Sequence, residues 1–125
     1  MATLSRILMV EDEPDIQAVA RVALEVVGGL HVEVCSSGLE ALEKAPAWHP
    51  DLILMDVMMP GMDGPGTLKE LRNRDATKAI PVIFMTAKVQ PQEVASFEMI
   101  GALGVIAKPF DPMSLADQAK SFLNG

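Results

Sequence analysis

The chain has one cysteine, no tyrosine and a single tryptophan, and its 10 basic residues are outnumbered by 17 acidic ones, for a formal net charge of −7. The lone thiol, Cys35, cannot close an intrachain disulfide and leaves no cysteine-based zinc pattern, which fits a cytoplasmic location. The shortage of lysine and arginine argues against direct nucleic-acid binding and against adhesion to anionic lipid, since both need clustered cations to displace counterions. A basic protein partner or a bound cation matches the charge better. Long apolar runs are missing too. Stretches such as residues 52–55 and 82–85 fall far short of the ~18–20 residues that cross a bilayer, so no membrane insertion is expected. The N-terminus lacks the basic segment, apolar stretch and cleavage site of a secretion signal.

What is present is a chain of 125 residues, half of them hydrophobic, enough for one domain with a core that needs no disulfide or structural metal. Five short apolar runs recur, at residues 7–10, 32–35, 52–55, 82–85 and 105–107, each of strand length. Between them lie stretches of helical spacing. Ile16, Val19, Ala20, Ala23 and Leu24 form one apolar stripe opposite Gln17, Arg21 and Glu25, in a helix expected to stop near Gly28 and Gly29. A second helix is expected from Ser37 to just before Pro46. A third opens at Gly64 and Pro65, where a missing N–H costs nothing, and a fourth begins near Pro91. A fifth opens on Asp111 and Pro112, a favourable N-cap and first-turn pair, and runs to residues 124–125.

Strand and helix therefore alternate five times. Strands that read as continuous apolar runs are buried on both faces, and the expected fold class is α/β, a doubly wound parallel sheet between helices. Repeats, linkers and low-complexity segments are not evident, and residues 1–125 are expected to form a single domain.

In such sheets the binding crevice lies beyond the carboxyl ends of the strands. The first strand runs into Glu11, Asp12 and Glu13, the third into Asp56, the fourth into Thr86 and the fifth into Lys108. Singly, each has an ordinary structural explanation: acidic residues cap helices, threonine suits a turn, and lysine is usually solvated. Asp56 is the exception, because it directly follows the apolar run 52–55, and a lone carboxylate at the rim of a core pays a desolvation cost unless paired or metal-bound. Together the residues suggest metal-assisted phosphoryl transfer. Converging carboxylates favour a hard divalent cation such as Mg²⁺, Asp56 can act as nucleophile on phosphorus, and Lys108 and Thr86 can stabilise the transferred charge.

The sequence Val10-Glu11-Asp12-Glu13-Pro14, the stretch from Asp56 through Val57, Met58, Met59, Pro60, Gly61, Met62 and Asp63 to Gly64, then Thr86-Ala87 and Lys108-Pro109-Phe110, closely resembles the receiver domain of two-component response regulators. The resemblance covers essentially the whole chain. It implies a flavodoxin-like five-stranded sheet of order 2-1-3-4-5, of the kind found in single-domain chemotaxis regulators. By the same resemblance Asp56 is the phospho-acceptor, Asp12 and Asp56 are direct Mg²⁺ ligands, Glu11 reaches the ion through water and the Met58 carbonyl completes the protein's share. Thr86 and Lys108 match the hydroxyl and lysine that contact the phosphoryl group, and Lys108-Pro109 matches a peptide bond that is typically cis. The partners implied are a histidine kinase or histidine phosphotransfer domain upstream and a protein engaged through the fourth-helix face downstream.

Two departures stand out. Many members carry an aromatic residue three positions before the lysine, which swings inward on activation; here Val105 holds that place, so signalling is expected to run through Thr86, its loop and the fourth helix. Met58 and Lys88, two residues after Asp56 and Thr86 respectively, flank the pocket and are expected to tune water access and phosphoryl lifetime. Met58 also speaks against an aspartate-nucleophile phosphatase, which needs a second acid/base carboxylate there; turnover of an external substrate is not expected. The remaining alternative is a degenerate receiver that acts as a phosphorylation-independent interaction module. Crowding of Glu11, Asp12 and Asp56 would make neutralisation of Asp12 or Asp56 stabilising in the metal-free protein. The methionines are expected to pack, His31 and His49 to be solvated or locally bonded, and Trp48 to cover the end of the sheet away from the site.

Overall fold

The computed structural model describes residues 4–124. Its strands are β1 (Arg6–Val10), β2 (His31–Cys35), β3 (Leu52–Asp56), β4 (Val82–Thr86) and β5 (Gly104–Ala107). The helices are α1 (Pro14–Val22), α2 (Gly38–Trp48), α3 (Gly64–Arg72), α4 (Pro91–Met99) and α5 (Leu115–Asn124). All strand pairs are parallel, in the order β2-β1-β3-β4-β5. This is the α/β architecture expected of runs buried on both faces. The central strands β3 and β4 are buried at every position, whereas the edge strands β2 and β5 are buried only in part.

Alternate strand residues point to opposite faces, which divides the core in two. Ile7, Met9, Leu54, Met85 and Ile106 pack with Ala20, Ala23 and Leu24 and with Leu115, Ala116 and Ala119. Leu8, Val10, Ile53, Met55 and Phe84 pack on the other face with Ala41, Leu42 and Ala45 of α2 and Leu68 and Leu71 of α3. Among the methionines near the strand ends, Met55 and Met59 are buried and Met58 is exposed. Both histidines are exposed. Trp48 lies under the Arg6 guanidinium, 4.5 Å from the ring centroid, at the amino end of β1 and so away from the carboxyl edge.

The first helix stops at Gly28 as the sequence predicts but changes geometry on the way, and two other helix boundaries differ from expectation. The first helix keeps α geometry only to Val22 and continues to Val27 as a π-helical turn, marked by a Gly28 N–H donating to the Ala23 carbonyl at 3.1 Å. Gly28 then passes so close to α5 that a Cβ there would lie 2.5 Å from the Ala116 Cβ. The second helix does not stop before Pro46 but runs through it to Trp48. The proline removes the N–H that would bond the Leu42 carbonyl and crowds that oxygen, and the helix continues through it with Ala41, Leu42 and Ala45 buried and Trp48 packed on the same core layer. His49 closes the helix in the left-handed conformation at φ 56°. The fifth helix starts at Leu115 because residues 112–114 form a turn, with Asp111 Oδ1 accepting from the Met113 N–H. Gly125 lies outside the described residues.

Candidate functional site

Four strands deliver their last residues to one edge. Glu11 follows β1, Asp56 ends β3, Thr86 ends β4 and Lys108 follows β5. The sheet register brings them to one edge: Val10 pairs with Met55, Asp56 with Met85 and Thr86 with Ala107, so the ends of β3 and β4 each lie one residue beyond that of the strand before them in the sheet, and β5 ends level with β4. Glu11 is wholly buried, and Asp56 and Thr86 are each 5% exposed.

Carboxylate oxygens of Glu11, Asp12 and Asp56 all lie within 4.8 Å of one another. The Lys108 ammonium bridges two of them, donating to Glu11 Oε1 at 3.0 Å and to Asp56 Oδ2 at 3.1 Å. Glu11 Oε2 accepts from the Glu13 N–H at 3.1 Å, and Asp56 Oδ1 from the Met58 N–H at 3.3 Å. Burial pushes the Glu11 carboxyl above its ordinary value and the Asp56 charge adds to this, while the hydrogen bonds from Lys108 and Glu13 pull the other way. For Lys108, burial opposes the charge, but the hydrogen bonds to Glu11 and Asp56 prevail and raise its pKa.

The donor set suits a hard divalent cation. It is all oxygen, and the three carboxylates face a single ammonium, leaving an excess of negative charge where Mg²⁺ would retain waters and take phosphate oxygens. Thr86 Oγ1 accepts from the Lys88 N–H at 3.1 Å, a local turn that holds the hydroxyl at the strand end. The Met58 side chain, 76% exposed, stands outside the pocket.

Two contributors are not evident from the sequence. Gln17, one turn into α1, donates through Nε2 to the Glu11 carbonyl and to Ser36 Oγ, fastening the loop that carries the acidic residues. Its polarity on the helix is visible in the sequence, but its partner is not. Gly64, at the start of α3, donates its N–H to the Val57 carbonyl at 2.9 Å, and a Cβ there would lie 2.6 Å from the Asp56 carbonyl oxygen. Only glycine lets α3 approach the loop after Asp56 this closely.

Beside Lys108 lies a cavity of about 420 Å³, lined by Asp15, Ile16, Val19, Pro109 and Phe110. The Lys108-Pro109 peptide bond is cis. Another cavity, of about 720 Å³, lies away from the acidic cluster between α4 and α5, with Glu98, Leu103 and Phe122 among its walls.

Residues 7–120 match the family profile described as the response regulator receiver domain. The chain belongs to that family. As a receiver it is related to the alkaline phosphatase synthesis transcriptional regulatory protein PhoP of Bacillus subtilis, 36% identical over 118 residues that make up 94% of this chain and 48% of that protein. It is also similar to the probable transcriptional regulator ycf29 of Porphyra purpurea, 38% identical over 95 residues, which are 76% of this chain and 46% of that protein. The receiver thus spans about half the length of these relatives. Among solved structures it resembles the chemotaxis response regulator CheY4 of Vibrio cholerae, with 31% identity and a TM-score of 0.88 over 96% of this chain and 99% of that one. The receiver domain of a signal transduction histidine kinase from Syntrophus aciditrophicus is similar at 35% identity, with a TM-score of 0.82 over 97% and 91% of the two chains. Receivers are signalling proteins rather than enzymes that turn over an external substrate. No helix among the described residues is long and apolar enough to cross a membrane.

Proposed function

We propose that this receiver takes a phosphoryl group from a phosphohistidine of a histidine kinase or histidine phosphotransfer domain onto Asp56, and signals to a protein partner through α4. The observation that carries the reading is the convergence of Glu11, Asp12 and Asp56 within 4.8 Å, with Lys108 bonded to two of them. In the transfer, an Asp56 carboxylate oxygen forms a bond to phosphorus as the bond from phosphorus to the donor imidazole nitrogen breaks. The imidazole leaves with the electron pair and takes a proton from solvent, and an acyl phosphate remains.

Lys108 is already beside the acceptor oxygen, so its charge meets the incoming phosphoryl oxygens with little reorganisation. The Thr86 hydroxyl can donate to a phosphoryl oxygen once the loop that holds it shifts. Glu11, Asp12, Asp56 and the Met58 carbonyl would hold Mg²⁺. Bound there, the ion would supply the positive charge that offsets both the carboxylates and the phosphoryl oxygens. The largely apolar cavity beside Lys108, lined by Ile16, Val19 and Phe110, supports docking of the donor next to Asp56. The net charge of −7 supports output by protein contact rather than by direct nucleic-acid binding.

Incubation with acetyl phosphate and Mg²⁺, read by intact mass, tests the reading. The wild type gains one phosphoryl group and Asp56→Asn none; no gain by the wild type, or equal gain by both, would contradict it.

A further inference from the structure

The aromatic residue that many receivers carry on the fifth strand is Val105 here, yet an aromatic ring occupies the neighbouring place. In the sheet register Val105 pairs with Phe84 of β4, and paired residues of adjacent strands point to the same face. Both pack in the core layer shared with α2 and α3. Phe84 is wholly buried and lies two residues before Thr86.

The Phe84 ring has contacts on two sides. Toward the site, its Cε1 would lie 3.1 Å from a Cβ on Gly64, the same glycine that abuts the Asp56 carbonyl and the Val57 Cα. Toward the surface, it meets the Phe97 ring of α4 edge-on, with centroids 5.2 Å apart and planes at 65°. α4 has no fully buried residue, and Phe97 is its aromatic anchor, half-buried against this core layer. An aromatic pair in this geometry is directional, so the helix cannot slide without changing the ring contact.

We infer that Phe84 and Phe97 couple α4 to the phosphorylation site in this chain, in place of a mobile aromatic residue on β5. The inference rests on the function proposed above. When the Asp56 loop and the Thr86 turn rearrange, the buried Phe84 ring receives the displacement of the Gly64 backbone on one side. Phe97 then pivots on the other, carrying α4 with it. Phe97 is thus a positioning residue: it touches no phosphoryl group and acts through Phe84.

The test uses Phe97→Leu and Phe97→Met, which keep apolar bulk and remove the ring edge. Each protein is treated with acetyl phosphate and Mg²⁺, its phosphoryl content is measured by intact mass, and backbone amide shifts are recorded in the same sample. The expected result is wild-type phosphoryl content with the α4 amide response reduced at least threefold, while amides of residues 56–58 respond as in the wild type. Adding Val105→Phe to Phe97→Leu is expected to return part of the α4 response. Full phosphorylation with an undiminished α4 response in both single variants would overturn the coupling and leave the phospho-acceptor reading intact. Absence of phosphoryl gain in the wild type would overturn both.

Discussion

The Lys108 ammonium lies 3.1 Å from Asp56 Oδ2, joining residues 52 positions apart from the ends of two strands that are not neighbours in the sheet. The same ammonium reaches Glu11, so one cation serves two buried carboxylates. Removing it leaves both without a counter-charge. Lys108→Met is expected to destabilise the metal-free protein by about 3 kcal/mol, the lower end of the range for breaking a buried pair, since the lysine side chain keeps 18% exposure. Denaturant unfolding in chelator checks this. An unchanged midpoint would mean that the pair carries no net stabilisation.

Asp12 is the carboxylate of the cluster that Lys108 does not reach. The repulsion expected from the sequence is therefore relieved at Glu11 and Asp56 and concentrated at Asp12. Asp12→Asn is expected to raise the melting temperature in chelator, and Asp56→Asn to raise it less because that change also forfeits an ion pair. Mg²⁺ should reverse the order between wild type and Asp12→Asn. At ten times its dissociation constant, a ligand specific to the native state adds about 1.4 kcal/mol, and the Asp12→Asn protein should gain far less. Equal Mg²⁺ stabilisation of the two proteins would count against Asp12 as a ligand.

Gly64 is fixed by backbone on both sides, since a Cβ would lie 2.6 Å from the Asp56 carbonyl and 2.9 Å from the Val57 Cα. Neither neighbour is the end of a flexible side chain. Gly64→Ala should cost about 1–3 kcal/mol, the range for overpacking, and, on the proposed function, should slow phosphoryl gain by displacing the loop after Asp56. Wild-type stability and rate together would show that the loop yields freely.

Burial pushes the Cys35 thiol up to about 12. The native state therefore keeps its proton over a range in which the unfolded chain, with a thiol near 9.0, has lost it. Between those values the unfolded state binds fewer protons, so stability falls as pH rises, by at most about 1.4 kcal/mol per pH unit. Cys35→Ala should flatten this slope, and native Cys35 should resist alkylation at pH 8 until denaturant is added. Prompt alkylation of the native protein would contradict the burial.

The strands were legible because a sheet covered on both faces demands unbroken apolar runs, and residues 52–55 and 82–85 satisfy that without help from context. The polar residues at the strand ends were legible for a related reason, since Asp56 directly after such a run has no cheap explanation. What stayed hidden depends on contacts between distant residues. The length of α2 past Pro46 is set by tertiary packing of Ala45 and Trp48, which local propensity opposes. The service of one lysine to two carboxylates, and the lateral pairing of Phe84 with Val105, follow from strand order and register, which hydrophobic periodicity alone does not specify.

The central claim is that Asp56, and no other carboxylate of the cluster, receives the phosphoryl group. Borohydride reduces an acyl phosphate at aspartate to homoserine, leaving a permanent mark at the acceptor. After treatment with acetyl phosphate and Mg²⁺, then borohydride and proteolysis, peptide sequencing by mass spectrometry should find homoserine at position 56 and aspartate retained at position 12. Homoserine at position 12, or at neither position in a sample whose intact mass shows phosphoryl gain, would contradict the assignment.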